Sequence, residues 1–343
     1  MDRIFAVAFV VISFLNIHRG GWAIGINYGL LGNNLPAPAD TISQLQQLNV
    51  SKTRLFSPDH DVLTALHDSG ISVIVGTLNE DLESLSSDPS AAASWVETNI
   101  LPHYSSVDIT CLSAGNEVIP GDLAQYVPGT IQNLDAALIA AGISDIPVTT
   151  AVSMGVLSTS YPPSQGAFSD ESFAVISQIV NFLAEKKSPL LVNAYPYFAR
   201  VGDPMNVDLR YALFQEGPTV VHDGSLTYTN IFDAMVDAVY SALEEIDGGD
   251  DVEVVVTETG WPSGGGRDAS VENAETYVNN LIGHVSSGRG TPKRPGREIE
   301  TYIFAMFNEN LKPAGVEQNW GLHYPNLTQV YQANFSSTKV FIQ

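Results

Sequence analysis

The chain has 343 residues, more than the roughly 100–200 of most single domains and enough for one large α/β domain. With 44% hydrophobic and 15% charged residues it has the apolar content to bury a core, which excludes a disordered chain. A formal net charge of −23 repels phosphate backbones and anionic lipid surfaces, so nucleic acid and membrane are excluded as partners, while a neutral ligand meets no such penalty.

Residues 1–23 read as a signal peptide. Asp2 and Arg3 precede an apolar run, 4–15, interrupted only by Ser13. The run is shorter than the ~20 residues of a membrane span. Gly21 and Ala23 supply the small-x-small pattern of a cleavage site after Ala23. Removal of Asp2, Arg3 and Arg19 takes the formal charge to −24. A secreted, extracellular protein is expected, with the vacuole as the alternative address. One domain is expected over 24–335, followed by a short tail, 336–343.

Eight short apolar runs then recur: 23–28, 53–56, 71–77, 109–114, 146–151, 190–195, 252–258 and 302–307. Each is rich in Val, Ile or aromatic residues and is bounded by Gly, Pro, Asn or Asp, the punctuation of strands. Their nearly continuous apolar character fits parallel strands buried on both faces. Helical periods lie between them, at 38–48, 170–185, 230–246 and 271–285. In 170–185, for example, Phe173, Ile176, Ile179, Val180 and Leu183 share one face. Strand and helix alternate eight times, which predicts a single-domain α/β (β/α)8 TIM barrel. An open doubly wound sheet is the alternative, but Gly29 and Gly32 after the first strand lack the G-x-G-x-x-G spacing. Residues 199–229 have weak periodicity and predict an irregular excursion after the sixth strand.

The only cysteine, Cys111, sits in a predicted strand and reads as a small apolar core residue. Sequons at Asn49, Asn326 and Asn334 are glycosylation candidates, with Asn49 expected to be the least accessible because it abuts a strand. The seven histidines show no metal-ligand spacing, so neither metal nor cofactor is expected. The basic stretch 289–297 precedes the eighth strand and reads as a solvated turn on the face opposite the strand ends.

Barrel chemistry collects where strands end. The fourth predicted strand runs into Gly115-Asn116-Glu117, the seventh into Thr257-Glu258, and the eighth into Asn308-Glu309. The second carries Arg54, and the sixth ends Asn193-Ala194-Tyr195-Pro196-Tyr197-Phe198. Paired carboxylates are the machinery of glycoside hydrolysis: one protonates the leaving oxygen, while the other attacks the anomeric carbon or activates water. A separation of ~5–5.5 Å gives retention, and a wider gap gives inversion. Tyr28, Tyr195, Tyr197, Phe198 and Trp320 are candidates to hold apolar sugar faces, and Trp261 is expected to pack behind Glu258.

The stretch Val256-Thr257-Glu258-Thr259-Gly260-Trp261-Pro262-Ser263 resembles the signature of the plant glucan endo-1,3-β-glucosidases, glycoside hydrolase family 17. So do Ile26-Asn27-Tyr28-Gly29, Gly115-Asn116-Glu117-Val118, Asn193–198 and 302–312. The resemblance covers nearly the whole chain after residue 23. It implies a retaining endo-hydrolase of β-1,3-glucans such as callose, laminarin or fungal wall glucan. Glu258 is then the nucleophile, Glu117 the acid/base, and Asn116 the partner of the sugar 2-hydroxyl. Glu309 and Lys312 become a supporting pair, and Tyr28, Asn193, Tyr195, Phe198 and Trp320 substrate-binding residues. A monomer in the cell wall space is expected, in defence or in developmental callose removal. The alternatives are a mixed-linkage β-1,3-1,4-glucanase and, from another class, a non-catalytic β-glucan-binding protein.

Overall fold

The computed structural model describes residues 24–335. The expected signal peptide and tail lie outside the described residues. Eight parallel strands close into a barrel: β1 (Ile24–Asn27), β2 (Lys52–Leu55), β3 (Ser72–Gly76), β4 (Asp108–Asn116), β5 (Val148–Ser153), β6 (Leu190–Asn193), β7 (Val254–Thr259) and β8 (Thr301–Ile303). Neighbours in sequence are neighbours in space, and β8 pairs with β1 to close the ring. The (β/α)8 barrel is therefore the fold.

Alternation along the strands divides the core. Val73 and Val75 of β3 join the large cluster beneath the helices, whereas Ile74 joins Cys111, Ala151, Leu191 and Tyr302 inside the barrel. Cys111 is thus core, its thiol pKa raised chiefly by burial. The register Asn27↔Arg54↔Ile74 sets Arg54 on the same inward face. An arginine is rarely buried without a partner, so this position demands a counter-charge at the barrel axis.

Helices form where the periods predict them: Pro38–Gln47, Asp170–Lys186, Ile231–Glu244 and Val271–Ser286. Their starts are fixed by local chemistry. The first has Pro at its opening turn, and Ser169, Asn230 and Ser270 accept backbone N–H groups that open the other three. The eighth strand is shorter than expected. Pairing stops at Ile303, although Phe304 still donates its N–H to Thr259 O and Met306 to Asn27 O. The excursion after β6 holds two short helices, Pro196–Gly202 and Leu209–Ala212, and a hairpin of Val221–Asp223 with Leu226–Tyr228.

The turn at 289–297 lies away from the strand ends, as expected. Lys293 and Arg294 pair with Glu244, and Arg297 with Glu253 just before β7. Asn49 departs from expectation. It is exposed, at a left-handed φ of 58° in the turn before β2, and Asn326 and Asn334 are exposed as well. No helix among the described residues is long and apolar enough to cross a membrane.

Candidate active site

The two glutamates arrive at the barrel mouth through local irregularities of their strands. The β4–β5 register shifts between Ser113 and Asn116, and the β7–β6 register shifts between Val256 and Glu258. Such bulges re-aim side chains near strand ends. Gly115 (φ +71°) and Glu117 (φ +55°) both take the left-handed region, which turns the chain sharply as it leaves β4. Asn79 clamps that turn: its Oδ1 accepts the Asn116 N–H (2.8 Å) and its Nδ2 donates to Asn116 O (3.0 Å).

Asn193, at the end of β6, ties the carboxylates together. Its Nδ2 donates at 2.8 Å to Glu117 Oε1 and at 2.8 Å to Glu258 Oε1. Those two oxygens therefore lie no more than twice that distance, 5.6 Å, apart. Asn193 is itself fixed by Thr257 Oγ1, which donates to its Oδ1 at 3.0 Å.

The environments of the pair differ. Glu258 is 6% exposed and meets a cation and two neutral donors. Arg54 Nη1 donates to Oε1 at 2.8 Å, Asn193 to the same oxygen, and the Tyr195 hydroxyl to Oε2 at 2.7 Å. These contacts suit a carboxylate anion with a fixed orientation. Glu117 has one side open to the cleft, yet the surrounding walls displace much of its water. That burial raises its pKa above the ordinary carboxyl value, and the nearby charge of Glu258 raises it further. The Asn193 bond and the Arg54 charge oppose the rise. The Tyr195 hydroxyl is held protonated, its pKa raised first by burial and then by Glu258.

Arg54 is the residue whose role sequence reading missed. It is 1% exposed, and its Nη2 donates to Asn116 Oδ1 at 2.8 Å while its Nη1 holds Glu258. The Phe56 ring lies 4.6 Å from its guanidinium carbon. The available signal was a charged residue inside an apolar strand. Because Arg54 occupies Asn116 Oδ1, the Asn116 amide NH2 remains for a ligand.

The other expected residues border the same cleft, which has a volume of about 1560 Å³. Phe198 is 45% exposed, with its ring against Tyr195, Tyr197 and Trp320. Tyr28 and Trp320 border the cleft but are almost fully buried. Tyr28 packs edge-on against Phe307, and Trp320 packs among Tyr195, Tyr197, Phe198 and Phe304. Trp261 packs against Tyr197 and donates to Asp268 O. Glu309 is buried, accepts the Leu31 N–H at 2.6 Å and lies 3.5 Å from Lys312, whose ammonium sits 4.1 Å from the Phe304 ring centre. This pair anchors the loop after β1 to the loop after β8. Gly29 is required there: a Cβ would come within 2.4 Å of the Glu309 carboxylate.

A (β/α)8 barrel with a glutamate pair bridged across the ends of β4 and β7 defines this chain as a glycoside hydrolase. The family model for Glycosyl hydrolases family 17 matches residues 24–335, and the chain belongs to that family. It is 52% identical over 317 residues to a putative glucan endo-1,3-beta-glucosidase GVI of Hordeum vulgare, covering 92% of this chain and 98% of that protein. It is 47% identical over 313 residues to Lichenase-2 of the same plant, covering 91% and 98%. Among solved structures, CJP38, a beta-1,3-glucanase and allergen of Cryptomeria japonica pollen, superposes with a TM-score of 0.89 at 48% identity, covering 92% of this chain and 99% of that one.

Proposed function

We propose that the chain hydrolyses internal β-1,3-glucosidic bonds of β-1,3-glucans with retention of configuration. The observation that carries the mechanism is the limit of 5.6 Å between the Glu117 and Glu258 oxygens, set by their shared donor. Carboxylates ~5–5.5 Å apart leave no room for the water of an inverting site. Glu258 attacks the anomeric carbon and forms a glycosyl-enzyme while Glu117 protonates the departing glycosidic oxygen. Glu117, now ionised, then takes a proton from the water that releases the sugar. The asymmetry of the two environments supports these roles. The raised pKa of Glu117 favours the acid form, and Arg54 accompanies the anion at Glu258. The free amide of Asn116 suits a hydrogen bond to the sugar 2-hydroxyl.

The β-1,3 linkage is supported by the named activities of the Hordeum and Cryptomeria proteins, and the open, aromatic-edged cleft suits attack within a polymer. The 47% identity to Lichenase-2 keeps a mixed-linkage β-1,3-1,4-glucan as the second substrate to test. We place the mature enzyme outside the cell or in the vacuole, after removal of residues 1–23. The test is reducing-sugar release from laminarin and from mixed-linkage β-glucan side by side, with the anomer formed followed by NMR. Short oligosaccharides released from laminarin alone, first as the β-anomer, are expected. Turnover of the mixed-linkage polymer alone changes the substrate, an initial α-anomer overturns the mechanism, and binding without turnover leaves a glucan-binding protein.

A further inference from the structure

The burial of Tyr28 and Trp320 leaves few open rings along the glucan cleft. Tyr161, on the loop after β5, lines the cleft and is 69% exposed. An exposed aromatic residue is ordinary in itself, because much of any protein surface is apolar. Place and support make this one informative. None of the hydrogen bonds that fix Glu117 and Glu258 involves it. It belongs instead to the wall that Ser160, from its own loop, shares with Asp203, Asn206 and Thr219 from the excursion after β6.

The loop that carries Tyr161 is fixed at three points. Antiparallel pairing of Leu157–Thr159 with Ala167–Phe168 closes its base. Ser164 holds Asp223 of the neighbouring hairpin twice, donating its N–H to Oδ2 and its hydroxyl to Oδ1, both at 2.6 Å. Gly166 lies so close to the helix Ile231–Glu244 that a Cβ would come within 2.0 Å of Ala238 O. A ring carried on a clamped loop loses little freedom when a ligand lies on it.

The chemistry matches a pyranose. A glucosyl unit has apolar C–H faces and hydroxyls around its edge. A tyrosine ring can cover one face and leave the edge in water, while the Ser, Asp, Asn and Thr side chains of the same wall suit the hydroxyls. The cleft, about 1560 Å³, exceeds the ~300–1,000 Å³ that encloses one small ligand, so it has room for several units of a chain.

Resting on the glucanase reading above, we propose that Tyr161 is a stacking platform for a glucosyl unit remote from the cleaved bond, and that it makes the enzyme prefer long β-1,3-glucan chains to short ones. The test is kcat/KM of wild type, Tyr161→Ala and Tyr161→Phe on the series from laminaritriose to laminariheptaose. Tyr161→Ala should lose about fivefold on laminariheptaose, the worth of one ring contact, and less than about twofold on laminaritriose. The loss should fall on KM rather than kcat, as expected for binding that is equal in ground and transition states. Tyr161→Phe, which keeps the ring, should follow wild type at every length. The ratio of the two substrates within one sample does not depend on how much of the protein is folded, so a folding defect cannot imitate the effect. An equal loss at all lengths, no loss at any length, or a Tyr161→Phe that behaves as Tyr161→Ala overturns the proposal. Wild type inactive on the whole series overturns the glucanase reading as well, whereas active wild type matched by Tyr161→Ala overturns the platform alone.

Discussion

Glu117 and Glu258 at the barrel mouth, and Asp233 and Asp237 on the outer helix Ile231–Glu244, are both pairs of acids held close together, with Glu258, Asp233 and Asp237 buried. In each pair one member is well supplied with partners. Glu258 has Arg54, Asn193 and Tyr195, while Asp233 has His284 at 2.8 Å and Asn230 at 2.8 Å. In each pair burial also raises the pKa of the other member. Asp237 is pushed up to about 6, with the Lys293 N–H and the Thr291 hydroxyl opposing the rise. What separates them is access. Glu117 opens on a cleft, whereas Asp237 is fully buried beneath the turn 289–297, which Lys293 and Arg294 clamp to Glu244. A perturbed carboxyl group marks a catalytic acid only where a substrate can reach it.

The sharpest way to break this comparison is Glu258→Gln. It should lower laminarin turnover on the order of 10⁴-fold or more and leave the thermal midpoint nearly unchanged, measured by reducing-sugar assay and calorimetry. A normally active Glu258→Gln would remove the nucleophile assignment.

Glu117→Gln should cost roughly 10²–10⁴-fold on laminarin and far less on an aryl glucoside whose leaving group needs no proton. Its pH profile carries a second signature. In wild type the acid form of Glu117 is required, and its pKa is raised. Activity should therefore persist above the ordinary carboxyl range and fall as pH rises through the raised value. That basic limb should vanish in Glu117→Gln, since an amide does not titrate.

Arg54→Lys keeps the charge but loses the planar fork that reaches Glu258 and Asn116 together. We expect a loss of about 10–100-fold in kcat, with KM changing less. Full activity in Arg54→Lys would reduce Arg54 to a charge without a geometric role.

Asp237→Asn should leave turnover unchanged and act on stability alone. The folded pKa of about 6 lies above the unfolded value near 3.8. Folding is therefore disfavoured increasingly as pH rises between these values, and the deficit is constant above about 6. Removal of the titrating group should add on the order of 2–3 kcal/mol at pH 7 and almost nothing below pH 4, read as urea midpoints across that range. The opposite pH trend would show that Asp237 is stabilised as an anion.

Much of this was legible from local pattern. Apolar runs and helical periods located the eight strands and the helices 170–185 and 271–285 to within a few residues, because burial on both faces of a strand and on one face of a helix leaves a periodic trace. The ends of the fourth and seventh strands likewise pointed to Glu117 and Glu258. Less was legible where a side chain's role depends on partners distant in sequence. Arg54 stood in an apolar strand with no partner in view, and the burial of Tyr28 and Trp320 beneath their neighbours left no mark on their own segments. The sequence by itself determined the barrel, its order and the two glutamates at its mouth. Only the tertiary structure decided which acids face a cleft, that Asn193 holds two of them within 5.6 Å and that Arg54 accompanies one. Periodicity is a property of neighbouring residues, whereas a carboxylate's solvent, counter-ion and distance from a second carboxylate exist only once the ring has closed.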